Sequence, residues 1–405
     1  MPSFPAFMDK RRTALWILLT LVLLLSLARF GYESNRIREG GFVDFPIFWN
    51  QAVQFLDTGQ VYSGADLAEF RPVAPVFKFP PFYLALLVPL ARLDPGESVY
   101  LYHWVIQLVL YMLSGVLCVM AVGRSRPVLY SVLLAILVLN YEAFYETLYG
   151  LQVETLLLAV LAACLLTVAR ARDGLAGLLL SVAAWLKVYP AFLGLYFVLR
   201  RRWSALTGIA VGGTLILLYS LAIIGIAEHL DYFGRVLPHM LGENPEVIEQ
   251  NLGLGHYLQL VGLTPGAAKA WTRAIMLFPV ALSCMTVYRA HATNERDLDR
   301  ATEFALFLPL LLLVLPNSWS NYQMLLVPAF AVLLAHVLEG HPRRSALIAL
   351  GTPAYVLGLF SENTPYLLSV ITIPEIVYWP IMYLKILSNV LLWIAFLVLL
   401  RHGKA

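Results

Sequence analysis

Long apolar runs broken by short polar connections dominate the chain. They fall at about 13–30, 98–122, 127–140, 151–169, 174–186, 188–199, 204–227, 269–289, 303–316, 322–338, 345–360 and 379–400. Such runs are continuous, not alternating, so the pattern predicts helices. Only helices and closed barrels satisfy every backbone polar group inside hydrocarbon. The expected fold is an all-α polytopic membrane protein, a single bundle over residues 1–405 with about twelve transmembrane helices. The runs 174–186 and 188–199 are short and meet at LKVYP (186–190), as broken or tilted helices do.

Two long polar segments interrupt the pattern, 31–97 and 228–268. The first contains PPFYLALLVPLARL (80–93), short for a crossing and carrying three prolines, which reads as a juxtamembrane or re-entrant helix. It also contains DFPIFWNQAVQFLDT (44–58), whose apolar positions Phe45, Phe48, Trp49, Ala52, Val53, Phe55 and Leu56 recur at helical spacing. That pattern predicts an amphipathic helix lying on the membrane surface.

Composition supports a lipid-facing surface. Hydrophobic residues make up 60% of the 405 and charged ones 13%, about half the charge of a soluble domain. Basic residues gather in one set of connections: Lys10, Arg11, Arg12, Arg124, Arg126, Arg170, Arg172, Arg200, Arg201, Arg202, Arg289, Arg296, Arg300, Arg343, Arg344, Arg401 and Lys404. By the positive-inside rule these face the cytoplasm, with both termini. The polar segments 31–97 and 228–268 then lie outside with most acids, including Asp44, Asp57, Asp66, Glu69, Glu142, Glu146, Glu243, Glu246 and Glu249. This orientation requires that 80–93 does not cross. No small-residue cleavage site follows the first run, which is read as an uncleaved helix. Cys118, Cys164 and Cys284 lie inside apolar runs without metal-ligand spacing and are read as small buried hydrophobes.

Candidate chemistry clusters in the outer segments. Asp44 either caps the amphipathic helix or acts as a general base, and the roles are compatible. Lys78, in VFKFPPFY, suits a phosphate or a snorkelling position at the interface, and Arg71 repeats the idea. YEAFYETLYGLQVE (141–154) brings Gln152 and Glu154 to the start of a span; Glu142 and Glu146 read as an ordinary solvated turn. Lys187 and Tyr189 sit at the helix break, where an intramembrane cation needs a partner or a phosphate. Asn251 and His256 lie beside flexible glycines. Trp319 and Asn321, in PNSWSNYQ, suit a sugar (a ring for its face, an amide for its hydroxyls) or an aromatic belt. No phosphate-cradling glycine loop, zinc signature or nucleophile elbow is present, which argues against nucleotide chemistry on a soluble domain.

The order of these motifs resembles glycosyltransferase family 87, the polyprenol-phosphate-mannose-dependent mannosyltransferases of the GT-C superfamily. The resemblance rests on VDFPIFWNQAVQFLDTGQVYS (43–63), KFPPFYLALLVPLARL (78–93), YGLQVETLLL (149–158), LKVYPAFLGLYFVLRRRW (186–203), NLGLGHYLQL (251–260) and NSWSNYQMLLVPA (317–329). It implies a GT-C-type bundle with outer juxtamembrane helices. It also implies a polyprenyl-phosphate-sugar donor, with mannose as the sugar, and inversion at the anomeric carbon. The acceptor would be a lipid-linked or glycan molecule on the outer face of a bacterial inner membrane. Asp44 matches the family's proposed base, and Lys187 with Pro190 matches its Lys-Tyr/Gly-Pro stretch. Asn321 stands where the family has His, and Leu151-Gln152 where it has Gly-Gln, with Gly150 one place earlier. A glycosyl phosphate carries a good leaving group, so a base and a few cations suffice; no metal, other cofactor or nucleic acid is expected. The expected partners are donor, acceptor and membrane lipids. The residues leave sugar, acceptor and linkage open. The rival expectation is a secondary transporter or lipid-sugar flippase, which the broken helices fit but the long outer loops and lack of internal repeats do not.

Overall fold

The structure is a computed structural model that describes residues 4–40, 44–62, 77–92, 98–123, 126–242, 251–290, 296–359 and 375–401. Arg71, Asp66, Glu69, Arg124, Glu243, Glu246, Glu249 and Lys404 lie outside the described residues. Among the described residues every element is helical. In order they are α1 (Phe4–Gly40), α2 (Phe45–Thr58), α3 (Pro81–Ala91), α4 (Ser98–Val122), α5 (Pro127–Leu139), α6 (Glu142–Gly150), α7 (Glu154–Ala169) and α8 (Asp173–Leu186). A 3₁₀ turn (Tyr189–Leu193) leads to α9 (Gly194–Leu199), followed by α10 (Trp203–Ile224), α11 (Ile226–Asp231), α12 (Leu237–Gly242), α13 (Leu254–Leu260) and α14 (Pro265–Arg289). The chain ends with α15 (Asp297–Ala305), α16 (Phe307–Val314), a second 3₁₀ turn (Ser320–Leu326), α17 (Val327–Glu339), α18 (Arg344–Gly358) and α19 (Glu375–Leu400).

Helices fall where the apolar runs predict them. Five helical stretches are long and apolar enough to cross a membrane: Arg11–Gly40, His103–Val122, Trp203–Ile224, Pro265–Arg289 and Ser320–Glu339. A sixth arises if α5 and α6, bent by 51°, count as one. Pro81–Ala91, Glu154–Ala169, Asp173–Leu186, Tyr189–Leu199 and Leu384–Leu400 are shorter apolar helices. The outer surface of the bundle is made for hydrocarbon: Leu25 on α1, Val109 on α4, Leu215 on α10, and Leu277 and Phe278 on α14 are all exposed. The centre belongs to α7, α16 and α17, which are buried almost throughout.

Three local features set up the site. First, α7 and α8 form an antiparallel hairpin closed by Arg170–Arg172, so the start of α7 and the end of α8 lie side by side. Second, α8 packs on α10 through glycines. A Cβ on Gly177 would stand 1.9 Å from the Ala205 carbonyl oxygen, and one on Gly208 2.1 Å from that of Gly174. This is the close backbone approach that small residues permit between membrane helices. Third, α8 stops where Lys187 turns extended (φ −145°, ψ 140°), three residues before Pro190.

The amphipathic segment is a helix as expected, but its apolar face has a different neighbour. Phe45, Trp49 and Ala52 are buried against the protein, and α2 lies on α3. Phe45 stacks on His103 of α4 at 4.1 Å. The aromatic side chains of α3 and α4 compete for this face and leave little of it for lipid. Likewise α3 is buried on nearly all sides, and its 11 residues span only about 16 Å, roughly half a hydrocarbon core.

Candidate active site

Asp44 stands at the N-terminus of α2, yet its side chain makes no capping hydrogen bond. Pro46, in the first turn, has no N–H to offer. The carboxylate Oδ2 instead accepts a hydrogen bond from Gln152 Nε2. Gln152 Oε1 in turn accepts from Asn321 Nδ2 at 2.8 Å. The direction of this chain follows from chemistry: an ionised carboxylate only accepts, so Gln152 must present its NH₂ to Asp44 and its oxygen to a donor. Burial raises the proton affinity of Asp44 above the usual carboxylate range, while the Gln152 hydrogen bond and the Lys187 charge oppose that rise.

The backbone at Gln152 is held equally firmly. Its carbonyl accepts from Gln107 Nε2 on α4 at 2.7 Å, and Gln107 Oε1 accepts from Thr155 at 2.6 Å. Leu151, fully buried, takes the left-handed conformation (φ 47°, ψ 45°) that ends α6. That conformation is strained for a side chain of this shape. The glycine stands one place earlier because that is where space is absent: a Cβ on Gly150 would lie 2.8 Å from Asp44 Oδ2.

Beside Asp44 lies a buried ion pair. Lys187 Nζ donates to Glu154 Oε1 and, at 3.1 Å, to the Tyr322 hydroxyl. Glu154 is fully buried in the first turn of α7, and Lys187 is the residue that ends α8. Each charge therefore complements the dipole of its own helix end. Aromatic rings surround the ammonium, with Tyr322 at 4.3 Å, Phe79 at 5.0 Å and Tyr189 at 5.8 Å. Tyr62 donates its hydroxyl to the Phe79 carbonyl at 2.7 Å and so anchors that ring from the outer segment.

The structure thus brings Asp44, Gln152, Asn321, Lys187, Glu154 and Tyr189 into one neighbourhood. Trp319 precedes the second 3₁₀ turn and is half-buried. Lys78 is half-buried beside Phe79. Asn251 has another setting: its Oδ1 accepts from the Gly253 and Ser318 amides at 2.9 and 3.0 Å, and its Nδ2 donates to Asn317 at 2.8 Å. It clamps the 251–253 and 316–318 backbones together. His256 is buried on α13.

Some residues of this region escape a sequence reading. Gln107 is hidden in an apolar run. Lys385, on α19, is fully buried; it donates to Ser320 Oγ and pairs with Glu146 at 3.4 Å. Glu146 also accepts from Ser320. Glu142 accepts from Arg29 of α1 at 2.5 Å. The turn expected to be solvated is therefore an ion-paired junction, because α1 packs on α6 and α1 and α19 supply its countercharges, Arg29 and Lys385. A lone lysine in a membrane run was the available signal, since such a charge needs a partner.

Glycosyltransferase family 87 matches residues 77–316. The chain is also similar to a polyprenol-phosphate-mannose-dependent α-(1-2)-phosphatidylinositol pentamannoside mannosyltransferase of Mycolicibacterium smegmatis, at 31% identity over 210 residues. That match spans 50% of this chain and 48% of the relative, about half the length of each. The family match starts after Asp44 and ends before Asn321; both reach the matched region through Gln152. With more than half of its length matched, the chain belongs to glycosyltransferase family 87, and it carries several helices long and apolar enough to cross a membrane.

Proposed function

We propose that the protein moves a sugar, mannose by its family, from a polyprenyl phosphate to a hydroxyl of a lipid-linked or glycan acceptor, with inversion. The observation that carries this reading is Asp44, a carboxylate at a helix N-terminus that is turned away from capping and held by Gln152. In the transfer, the acceptor hydroxyl gives its proton to Asp44 while its oxygen bonds the anomeric carbon. The bond from that carbon to the phosphate oxygen breaks, and polyprenyl phosphate leaves with the electron pair. A raised proton affinity suits Asp44 to take that proton.

Lys187 is the cation whose charge acts on Asp44, and it would meet the developing phosphate charge with Lys78 and Arg71. Lys78 and Arg71 belong to the same proposal as further cations for the phosphate. Tyr189 and Trp319 offer ring surface to the sugar, and Gln152, Asn321 and His256 offer polar contacts around it, while Asn251 and Glu154 are engaged in holding the neighbouring backbone and Lys187. The site lies at the end of the bundle opposite the arginine-rich connections, which by the positive-inside rule is the outer face.

The test is transfer of labelled sugar from polyprenyl-phosphate-mannose to a membrane lipid extract by purified protein with excess chelator. Wild type is expected to transfer, and Asp44→Asn to lose about 10²–10⁴-fold in rate. Folded Asp44→Asn protein with full activity would remove Asp44 as the base. Uptake of the donor lipid into the opposite leaflet without transfer would favour a flippase.

A further inference from the structure

Three consecutive residues of the second 3₁₀ turn each reach a different part of the site. Ser320 lies between Lys385 and Glu146, Asn321 donates to Gln152 beside Asp44, and Tyr322 accepts from Lys187. Lys385 is fully buried, and its neighbours on α19 include Leu384, Ile386 and Leu387. A buried charge is a weak device for stability, since apolar side chains of similar volume do as well or better. What it does supply is direction: charged hydrogen bonds fix geometry more tightly than apolar contacts.

The placement of those bonds is informative. Glu146 belongs to α6, the helix that ends at Gly150 and delivers Gln152. Ser320 immediately precedes Asn321. The cluster therefore ties together the two segments whose amides meet at 2.8 Å. We propose that Lys385, with Glu146 and Ser320, is a positioning site for transfer, holding α6 and the second 3₁₀ turn in the register by which Asn321 orients Gln152 toward Asp44. This rests on Asp44 serving as the base. It also explains how Asn serves where the family has His: the position orients an amide and exchanges no proton.

Charged and titratable groups surround both ends of this device. Lys187 at the α8 break, Glu154 on α7 and His103 on α4 lie around Asp44 and Gln152. Glu142 on α6 and Arg29 on α1 lie beside the Glu146–Lys385 pair. None of these changes in the test below.

The experiment measures kcat, KM and the pH profile of transfer from polyprenyl-phosphate-mannose by the full-length protein. It compares wild type, Lys385→Met/Glu146→Gln, Gln152→Leu and the combined triple variant. Neutralising both members of the pair avoids leaving one buried charge alone. The double variant is expected to lower kcat about ten- to a hundredfold with KM little changed. Its acid limb should move to higher pH, as is expected of Gln152→Leu, and adding Gln152→Leu should move it no further. An acid limb at the wild-type position, or losses that multiply in the triple variant, would overturn the proposal. If the double variant does not purify as a monodisperse protein, Ser320→Ala decides by the same readouts. Asp44→Asn, run alongside, separates the two levels: full activity there removes the base itself, whatever Lys385 does.

Discussion

At the scale of single residues, the site depends on a short stretch in which a glycine, a strained leucine and a glutamine have separate tasks. Gly150 leaves room for the Asp44 carboxylate, Leu151 turns the chain in a left-handed conformation, and Gln152 reaches Asp44. Sequence alone showed the order Gly-Leu-Gln as a departure from the family's Gly-Gln; the close approach of Asp44 gives its reason. The Gln152 bond favours the charged form of Asp44, against burial. Gln152→Leu therefore raises the Asp44 proton affinity further. On the proposal that Asp44 is the base, transfer needs it without its proton, so activity should be lost as pH falls through that value, and the acid limb of the rate profile should shift upward. A limb that stays in place or moves down would mean that Asp44 is not the titrating group.

At the scale of elements, the α7–α8 hairpin explains why Glu154 and Lys187, 33 positions apart, form a pair. An antiparallel hairpin must bring the start of one helix to the end of the other, and each charge suits its helix end. The side chains are 0% and 9% exposed respectively. Glu154→Gln should therefore leave a buried ammonium without its hydrogen-bonded carboxylate and destabilise the protein by about 3–5 kcal/mol. The thermal midpoint in detergent would fall, and Glu154→Gln/Lys187→Met should recover much of the loss while transfer stays low. Equal midpoints for Glu154→Gln and wild type would show that water reaches the pair.

At the scale of the whole molecule, the two ends differ in chemistry. Asp44, Gln152 and the Glu154–Lys187 pair mark one end of α7. At the other end Arg170 pairs with Asp297, Arg200 with Glu303 and Arg202 with Asp173. The 16 residues of α7 separate them by about 24 Å. The arginine end should face the cytoplasm. In a cysteine-free background, an impermeant thiol reagent should label Thr58→Cys in intact cells and Arg201→Cys only after permeabilisation. The reverse pattern would place the site on the cytoplasmic side.

The helical class, the places of the helices and the residues Asp44, Gln152, Glu154, Lys187 and Asn321 were legible in the chain. Apolar runs and isolated polar residues within them are local signals, and hydrocarbon leaves them few interpretations. Only the tertiary structure decided which of those residues meet. It turned Asp44 from a helix cap to Gln152, buried the α2 face against α3 and α4, and gave Glu142 and Glu146 the partners Arg29 and Lys385. The three side-chain pairings join residues more than a hundred positions apart in sequence. No local pattern encodes them, because they depend on how the helices pack.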